Sequence, residues 1–104
     1  MGLFGRKVER ARYGAGKHKL GFSCGHMIET KDGRAIYVPP VGESGTFTVA
    51  IADVRGFAAS PGEKALQSRL KVLGDGVELV EVLIPFVSLE PVQEWFRGHP
   101  SFVG

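Results

Sequence analysis

A chain of 104 residues, 43% of them hydrophobic and 23% charged, is long enough to bury the core of one globular domain without disulfides or a structural metal. Its single cysteine, Cys24, excludes an internal disulfide. The sequence has no apolar run of the length of a signal peptide or a membrane span. These features favour a soluble cytoplasmic protein.

Charge is unevenly distributed along the chain. The formal net charge is +2, yet the first 20 residues carry a balance of +5 and the rest of the chain −3. This polarity favours an acidic partner, whether a protein face, a nucleic acid or an anionic lipid surface. The alternative is solvated charge that keeps an N-terminal arm soluble. Six basic residues, opposed only by Glu9, make up the candidate binding face for an anionic partner: Arg6, Lys7, Arg10, Arg12, Lys17 and Lys19.

The N-terminal residues 1–19 are interpreted as a basic arm or an edge strand, and residues 20–104 as a single β-core with a C-terminal helix. Within the first part, Val8–Tyr13 is ambiguous between an edge strand, a short helix and a disordered arm. Leu20 to Thr30 is predicted as a strand. Its alternation places five residues on one face: Leu20, Phe22, Cys24, His26 and Ile28.

A hairpin is predicted next, because Asp32-Gly33 suits the positive φ angles of a type I′ turn. Ala35–Val38 is the returning strand, and the two prolines after it end that strand. The residues VGESG at 41–45 are predicted to form an exposed loop.

Thr46–Val54 alternates regularly and predicts a strand with Phe47, Val49 and Ile51 facing inward. Arg55-Gly56 then predicts a bulge or a change of sheet, and a turn is expected at 60–63.

Leu66–Leu73 is predicted as a strand with Leu70 and Val72 on one face, and the turn Gly74-Asp75-Gly76 joins it to a further strand at Val77–Ile84. The alternation of that last strand is interrupted, which predicts burial on both sides or a bulge. Glu81 is the interrupting charge. It is expected to be partly buried and paired with Arg69 or Lys71 on the neighbouring strand.

A helix is predicted to begin near Ser88, a residue suited to the N-cap position, and to end at Gly98 and Pro100. At about 100° per residue, four apolar side chains form one stripe and charged side chains the other. Aromatic residues in such a stripe are more often core than recognition groups, so the stripe is expected to close the β-core: Leu89, Val92, Trp95 and Phe96.

The predicted fold class is mainly β, a small antiparallel barrel or sandwich of six to seven strands with one C-terminal α-helix. The element order, the phrase FTVAIADVRGF at 47–57 and the terminal helix resemble the pleckstrin-homology-like fold, including its small bacterial versions. An SH3-like or other small barrel with a terminal helix is the alternative.

The resemblance implies a role for the loop between the first two strands, which in that family often carries basic residues that receive an anionic lipid headgroup. The corresponding stretch in this sequence is Gly14–Lys19, which contains Lys17, His18 and Lys19. Many members of the fold bind proteins instead, so a protein ligand is equally compatible with the resemblance.

No residue pattern predicts a metal, a cofactor or a catalytic centre. Cys24 and His26 are spaced to share one side of a strand, but a structural zinc site normally has two ligand pairs. Nucleophilic catalysis by Cys24 also lacks an evident orienting group. Core packing is therefore expected for Cys24.

The sequence favours a non-enzymatic interaction or regulatory module of bacterial or phage type. We expect its partner to be a protein, bound through the basic N-terminal face and the loops at 39–45 and 60–65. Nucleic-acid binding and anionic-lipid binding by a small β-barrel are the alternatives, since basic residues with interleaved aromatics suit phosphates.

Overall fold

Seven strands in two antiparallel sheets and one C-terminal helix make up the part of the chain that the computed structural model describes, residues 13–103. The first sheet has the order β1 (Gly16–Lys19), β2 (His26–Glu29), β3 (Arg34–Val38) and β4 (Phe47–Ala50). The second has the order β5 (Gly56–Pro61), β6 (Gln67–Leu73) and β7 (Glu78–Pro85), and helix α1 is Leu89–Gly98.

The predicted fold class is confirmed, in its sandwich form rather than as a closed barrel. Only Tyr13 of the ambiguous segment Val8–Tyr13 is among the described residues. Residues 16–19, part of the predicted basic arm or edge strand, form β1 at the edge of the first sheet. The described helix has ten residues, and nothing in 13–103 forms a helix of the length and hydropathy that a membrane span requires.

The core lies between the sheets and helix α1. Side chains of alternate strand positions enter it, as the period of a half-buried strand requires. Phe47, on β4, stacks between Tyr37 and Phe96, with ring centroids 5.7 and 6.4 Å away. The predicted helix stripe is confirmed: Val92, Trp95 and Phe96 are buried and Leu89 is half-buried. Each large side chain of this kind contributes about 2–3 kcal/mol by its burial.

The predicted strand Leu20–Thr30 is wrong over its first half. Only His26–Glu29 is strand, and Met27 is fully buried whereas Phe22 is 92% exposed. The chain turns before β2 because Gly21, Ser23 and Gly25 all have positive φ angles, which extended strands do not adopt. Three glycine and serine positions therefore mark a turn that the apolar alternation concealed.

The β2–β3 hairpin has a three-residue loop, Lys31–Gly33, rather than the predicted two-residue type I′ turn. The Thr30 amide donates to Arg34 O at 2.9 Å, and the Gly33 amide donates to Thr30 O at 3.1 Å. Gly33 adopts φ 87° while Asp32 stays at negative φ. A turn followed by one left-handed glycine is the usual geometry of three-residue hairpins.

The change of sheet predicted at Arg55-Gly56 is confirmed. Strand β4 ends at Ala50, Ile51–Asp53 forms a 3₁₀ turn, and β5 begins the second sheet at Gly56. Phe47, Val49 and Ile51 all face inward as predicted. The strand is shorter than the predicted 46–54, because the last residues turn the corner between the sheets.

The irregularity predicted in the last strand is a register shift of β7 against β6. Val72 pairs with Val80 while Leu73 pairs with Glu78, so Leu79 is the extra residue of a bulge. The pairing predicted for Glu81 is also confirmed, with its carboxylate 2.8 Å from Arg69 Nη1. Glu81 is exposed rather than partly buried. Its partner lies beside it on the outer face of the second sheet.

Ser88 occupies the predicted N-cap position of helix α1, but its side chain does not cap the helix. The chain enters the helix through the 3₁₀ turn Phe86–Ser88, and the Ser88 side chain makes no capping bond. The hydroxyl is buried and donates to Cys24 O at 2.9 Å instead. A long-range hydrogen bond has taken the place of a local one, which sequence spacing does not indicate.

Candidate interaction surface

Two of the six predicted basic site residues lie in the described chain. Lys17 and Lys19 are exposed on β1 and, two residues apart on a strand, they point to the same side. His18 between them points to the other side, toward Trp95 at 5.8 Å between ring centroids. The other four lie outside the described residues: Arg6, Lys7, Arg10 and Arg12.

The stretch Gly14–Lys19, expected from the resemblance to form the loop between the first two strands, is mainly strand β1 itself. The β1–β2 connection is Leu20–Gly25, which contains no Lys or Arg. This correction removes the basic loop on which a lipid-headgroup role would depend. The two lysines belong to an edge strand instead.

Three loops and one turn meet at one end of the sandwich, and we call this surface the loop end. It consists of Leu20–Gly25, Val41–Gly45, Gly62–Leu66 and the turn Phe86–Ser88. A groove of about 390 Å³ there is lined by Gly42, Lys64 and Val87, among others. Five large apolar side chains are exposed on these segments: Phe22, Val41, Leu66, Phe86 and Val87.

Cys24 joins the first loop to the turn before the helix. Its sulfur lies 3.3 Å from Phe22 O and 3.4 Å from Val87 O, so two carbonyl oxygens share its one proton. The carbonyl of Cys24 in turn accepts bonds from the hydroxyls of Tyr37 and Ser88 at 3.3 and 2.9 Å. Buried donors and acceptors are thus satisfied, and Phe22 and Val87 are held close to each other.

The other loops are fixed to the second sheet by backbone contacts. The Phe86 amide donates to Leu66 O at 2.8 Å, which joins the turn before the helix to the β5–β6 loop. Gly45 has φ 117° and lies so close to Leu83 O that a Cβ atom has no room. The apolar side chains of the loop end therefore stand on a supported backbone.

A second cluster lies away from the loop end and joins β1, β2 and helix α1. Both oxygens of the half-buried Glu29 carboxylate accept hydrogen bonds, Oε1 from the Gly14 amide at 3.0 Å and Oε2 from His99 Nε2 at 2.9 Å. His18 Nε2 lies 3.8 Å from Oε1 and donates to Gly14 O at 2.7 Å. Tyr13 covers the cluster, its hydroxyl donating to Trp95 O at 2.9 Å.

The hydrogen bonds assign the tautomers of both histidines. His99 Nδ1 accepts from the Ser101 amide at 3.0 Å, so the proton that reaches Glu29 is on Nε2. His18 Nε2 must also carry a proton, since a carbonyl oxygen only accepts. Burial and the nearby Glu29 carboxylate raise the pKa of Tyr13. Every one of these protons serves an internal bond, which makes this cluster a structural clasp.

The structure places Cys24 and His26 in different surroundings. Cys24 is buried in a turn, as predicted, with its thiol donating to carbonyl oxygens, and His26 is on strand β2. Within residues 13–103 no three His, Cys, Asp or Glu side chains are arranged to hold a metal ion.

Sequence reasoning missed both the apolar loop end and the clasp. Phe22 and Val41 stand singly between turn-forming residues, in the contexts Gly-Phe-Ser and Pro-Val-Gly. A large apolar residue isolated in a turn has no core face to join, and that signal was available. No comparable sequence signal indicated the clasp, because Glu29 and His99 are 70 residues apart.

Comparisons of this chain with models of protein families, with curated proteins and with solved structures found no significant match.

Proposed function

We propose that this protein is a non-enzymatic interaction module that binds a protein partner through its loop end. One observation carries the proposal: five large apolar side chains on connecting segments are more than half exposed, and their segments meet at one place. The exposed fractions are 92% for Phe22, 104% for Val41, 82% for Leu66, 57% for Phe86 and 55% for Val87. Contiguous exposed apolar groups with a polar surround are typical of protein-binding surfaces.

The supported backbone of the loop end favours binding. Side chains that already stand in place lose little conformational freedom when a partner covers them. The bonds of Cys24 and of Phe86 hold three of the four segments. The predicted loops 39–45 and 60–65 both contribute to this surface.

The basic residues have a secondary place in the proposal. Lys19 precedes Phe22 by three residues, so the exposed lysines of β1 lie next to the loop end and would contact an acidic rim of the partner. Charges at a rim mainly increase the rate of association and favour complementary partners. We extend this role to the basic residues that precede β1 in the sequence.

The pleckstrin-homology-like classification remains a proposal as well. The sheets of four and three strands followed by one helix support it. We also propose a cytoplasmic location and a bacterial or phage origin, which the sequence favours.

Capture from a lysate of the native host, with quantification by mass spectrometry, tests the proposed function. The double variant Phe22→Ser, Val87→Ser should lose the partner that the wild type retains. Val77→Ser is the matched control, because Val77 is 59% exposed on the β6–β7 hairpin at the other end of the sandwich. Equal recovery by the double variant and the control would contradict the proposal.

Binding of an anionic ligand is the second candidate function. It is supported by the side chains of Lys17 and Lys19, which are exposed on the same side of β1. Binding of single-stranded RNA or of anionic vesicles, followed by fluorescence anisotropy or sedimentation, should then weaken steeply with added salt. Lys17→Gln, Lys19→Gln should weaken it, and Phe22→Ser should leave RNA binding unchanged. An absence of binding at low salt removes this candidate.

A further inference from the structure

Among the strands of residues 13–103, four lie at sheet edges: β1 and β4 in the first sheet, β5 and β7 in the second. Strands β4 and β7 pack beside each other. Strand β1 carries Lys17 and Lys19, charged side chains of the kind that keep an edge from pairing with other chains. Strand β5 has neither a neighbouring edge strand within residues 13–103 nor a charged side chain. Its sequence is GFAASP, and residues 58–61 are exposed.

The hydrogen-bond pattern shows which groups of β5 face the open edge. The Gly62 amide donates to Gln67 O at 3.0 Å, in the same register as the β5–β6 pairs. Hydrogen-bonded and non-hydrogen-bonded residue pairs alternate along an antiparallel ladder. The amide and carbonyl groups of Ala58 and Ser60 therefore bond to β6. Phe57 and Ala59 therefore direct their amide and carbonyl groups away from β6. Within residues 13–103, β5 has no other strand partner.

The next residue that faces outward in this alternation is Pro61. Proline has no amide hydrogen, so this end of the edge leaves only a carbonyl oxygen unpaired. The open edge thus offers two amides and three carbonyls in the spacing of a β-ladder.

A mostly apolar groove of about 330 Å³ runs beside this edge. Ala59, Pro61 and Ser68 form the sheet side, and Phe86 and Leu89 form the side at the start of the helix. Ala59 faces the same side of β5 as Phe57, which packs on Phe96 at 5.7 Å between ring centroids. A side chain on a strand paired with β5 at Ala59 would enter this groove.

A cation lies at the other end of the edge. The guanidinium carbon of Arg97 is 5.4 Å from the Phe57 ring centroid, and Nη2 donates to Gln93 Oε1 at 3.0 Å. No carboxylate of the described residues forms an ion pair with it. The site for an apolar side chain and the site for an acidic one are thus about two strand residues, roughly 7 Å, apart.

We propose that β5 receives an extended segment of the protein partner as an added strand. The segment places an apolar side chain in the groove beside Phe86 and, two residues away, an acidic side chain at Arg97. Main-chain bonds to Phe57 and Ala59 supply affinity, and the two side-chain sites supply specificity. The inference rests on the proposed function and names the chemistry of the partner at the surface adjoining the loop end.

The test uses a capped seven-residue threonine peptide with Leu at its third and Glu at its fifth position, titrated into the ¹⁵N-labelled full chain. At about 1 mM peptide, the amide signals of Phe57, Ala59, Phe86 and Leu89 should shift. A peptide methylated on the backbone nitrogens around Leu should bind at least tenfold more weakly, and so should one with Lys in place of Glu. Shifts that are absent, or that are confined to β1, overturn the inference.

Ala59→Pro removes an outward amide without removing a bond to β6, and it should also reduce peptide affinity at least tenfold. Ala58→Ser is the matched control, because its side chain lies on the outer face beside Lys71 and its amide already faces β6. Unchanged affinity in Ala59→Pro contradicts the proposal. If that variant does not fold, the methylated peptide on the wild-type chain decides.

The peptide assay and the lysate capture separate the two claims. A host protein that is captured through Phe22 and Val87 while the peptide fails to bind leaves the proposed function and removes the added strand. Sedimentation of the wild type provides a further outcome: dimers abolished by Ala59→Pro would show that a second copy, not a partner segment, pairs with β5, and would overturn the inference.

Discussion

Two buried hydroxyl groups of this small domain, those of Tyr37 and Ser88, are held by long-range hydrogen bonds rather than by local ones. Ser88 donates to Cys24 O where the sequence indicates a helix cap, and Tyr37 donates to the same carbonyl. One backbone oxygen thus joins β3, the β1–β2 loop and the start of the helix. Residue patterns read along the chain do not contain such a meeting point.

Tyr37 predicts the response of the fold to alkaline pH. Burial raises the pKa of Tyr37 above the ordinary value of 10, aided by Cys24 and Glu43 and opposed by the nearby Ser88 hydroxyl. The fold thus favours the neutral form of the Tyr37 hydroxyl. The resulting contribution to the free energy of unfolding is complete below pH 10 and is lost as the pH rises through the pKa of Tyr37 in the folded state. Urea unfolding from pH 7 to pH 11 should show this fall.

Tyr37→Phe supplies the control for the alkaline response. The variant should lose about 1 kcal/mol at pH 7, because the hydrogen bond to Cys24 O is missing. Its free energy of unfolding should then fall less above pH 10 than that of the wild type. Equal slopes in the two proteins would show that other groups cause the loss.

Two glycines of the β3–β4 loop form a matched pair for testing how the loop end is supported. Gly42 and Gly45 both have positive φ angles, 91° and 117°, but only Gly45 has a neighbour, Leu83 O, where a Cβ would be. Gly42→Ala should cost roughly 1 kcal/mol of stability, and Gly45→Ala roughly 3 kcal/mol or more. Thermal unfolding measures both, and equal costs would contradict the close packing of this loop on β7.

At the scale of elements, alternation predicted the strands well where one face is buried and failed where glycines redirect the chain. Strands β4 and β6 have buried residues at every second position, and their inward faces are as predicted. The β2 prediction began six residues early because Phe22 and Cys24 continued the alternation through a turn. Positive φ angles at Gly21 and Gly25 overrode that pattern.

The clasp predicts how strongly β2 is tied to the end of the helix. Glu29→Ala leaves the Gly14 amide and His99 Nε2 without their acceptor, so it should cost about 2–3 kcal/mol. Glu29→Gln keeps one acceptor oxygen and should cost less. Glu94→Ala on the exposed helix face is the control and should stay within about 0.5 kcal/mol of the wild type. Urea unfolding at neutral pH distinguishes the three.

Helix α1 is expected to be a packing element. Truncation after Pro85 removes Val92, Trp95 and Phe96, each contributing about 2–3 kcal/mol by burial, against a total stability of 5–15 kcal/mol that is typical of such domains. The truncated chain should therefore lack a cooperative unfolding transition in circular dichroism. A cooperatively folded product would instead make the helix the first candidate for partner binding.

For the molecule as a whole, sequence determined the architecture more readily than the surface. Burial follows side-chain chemistry, so the sheets, the change of sheet at Arg55-Gly56 and the helix stripe were all predictable. The assembly of the loop end into one surface was not predictable, because its segments are 16 or more residues apart in the sequence and meet only through tertiary contacts such as that between Cys24 and Val87. The basic residues of the N-terminal part were predicted to form the binding face, whereas the exposed apolar residues of the loop end form the candidate site in the structure.

Hydrogen exchange of the full chain with and without its captured partner tests the central claim most directly. We predict that the partner protects amides of the loop end, at 20–25, 41–45 and 62–66 and in the turn before the helix, together with those of Phe57 and Ala59 on the β5 edge. Protection confined to the outer face of the helix, at Glu90 and Glu94, with the loop end and the β5 edge unchanged, would contradict it.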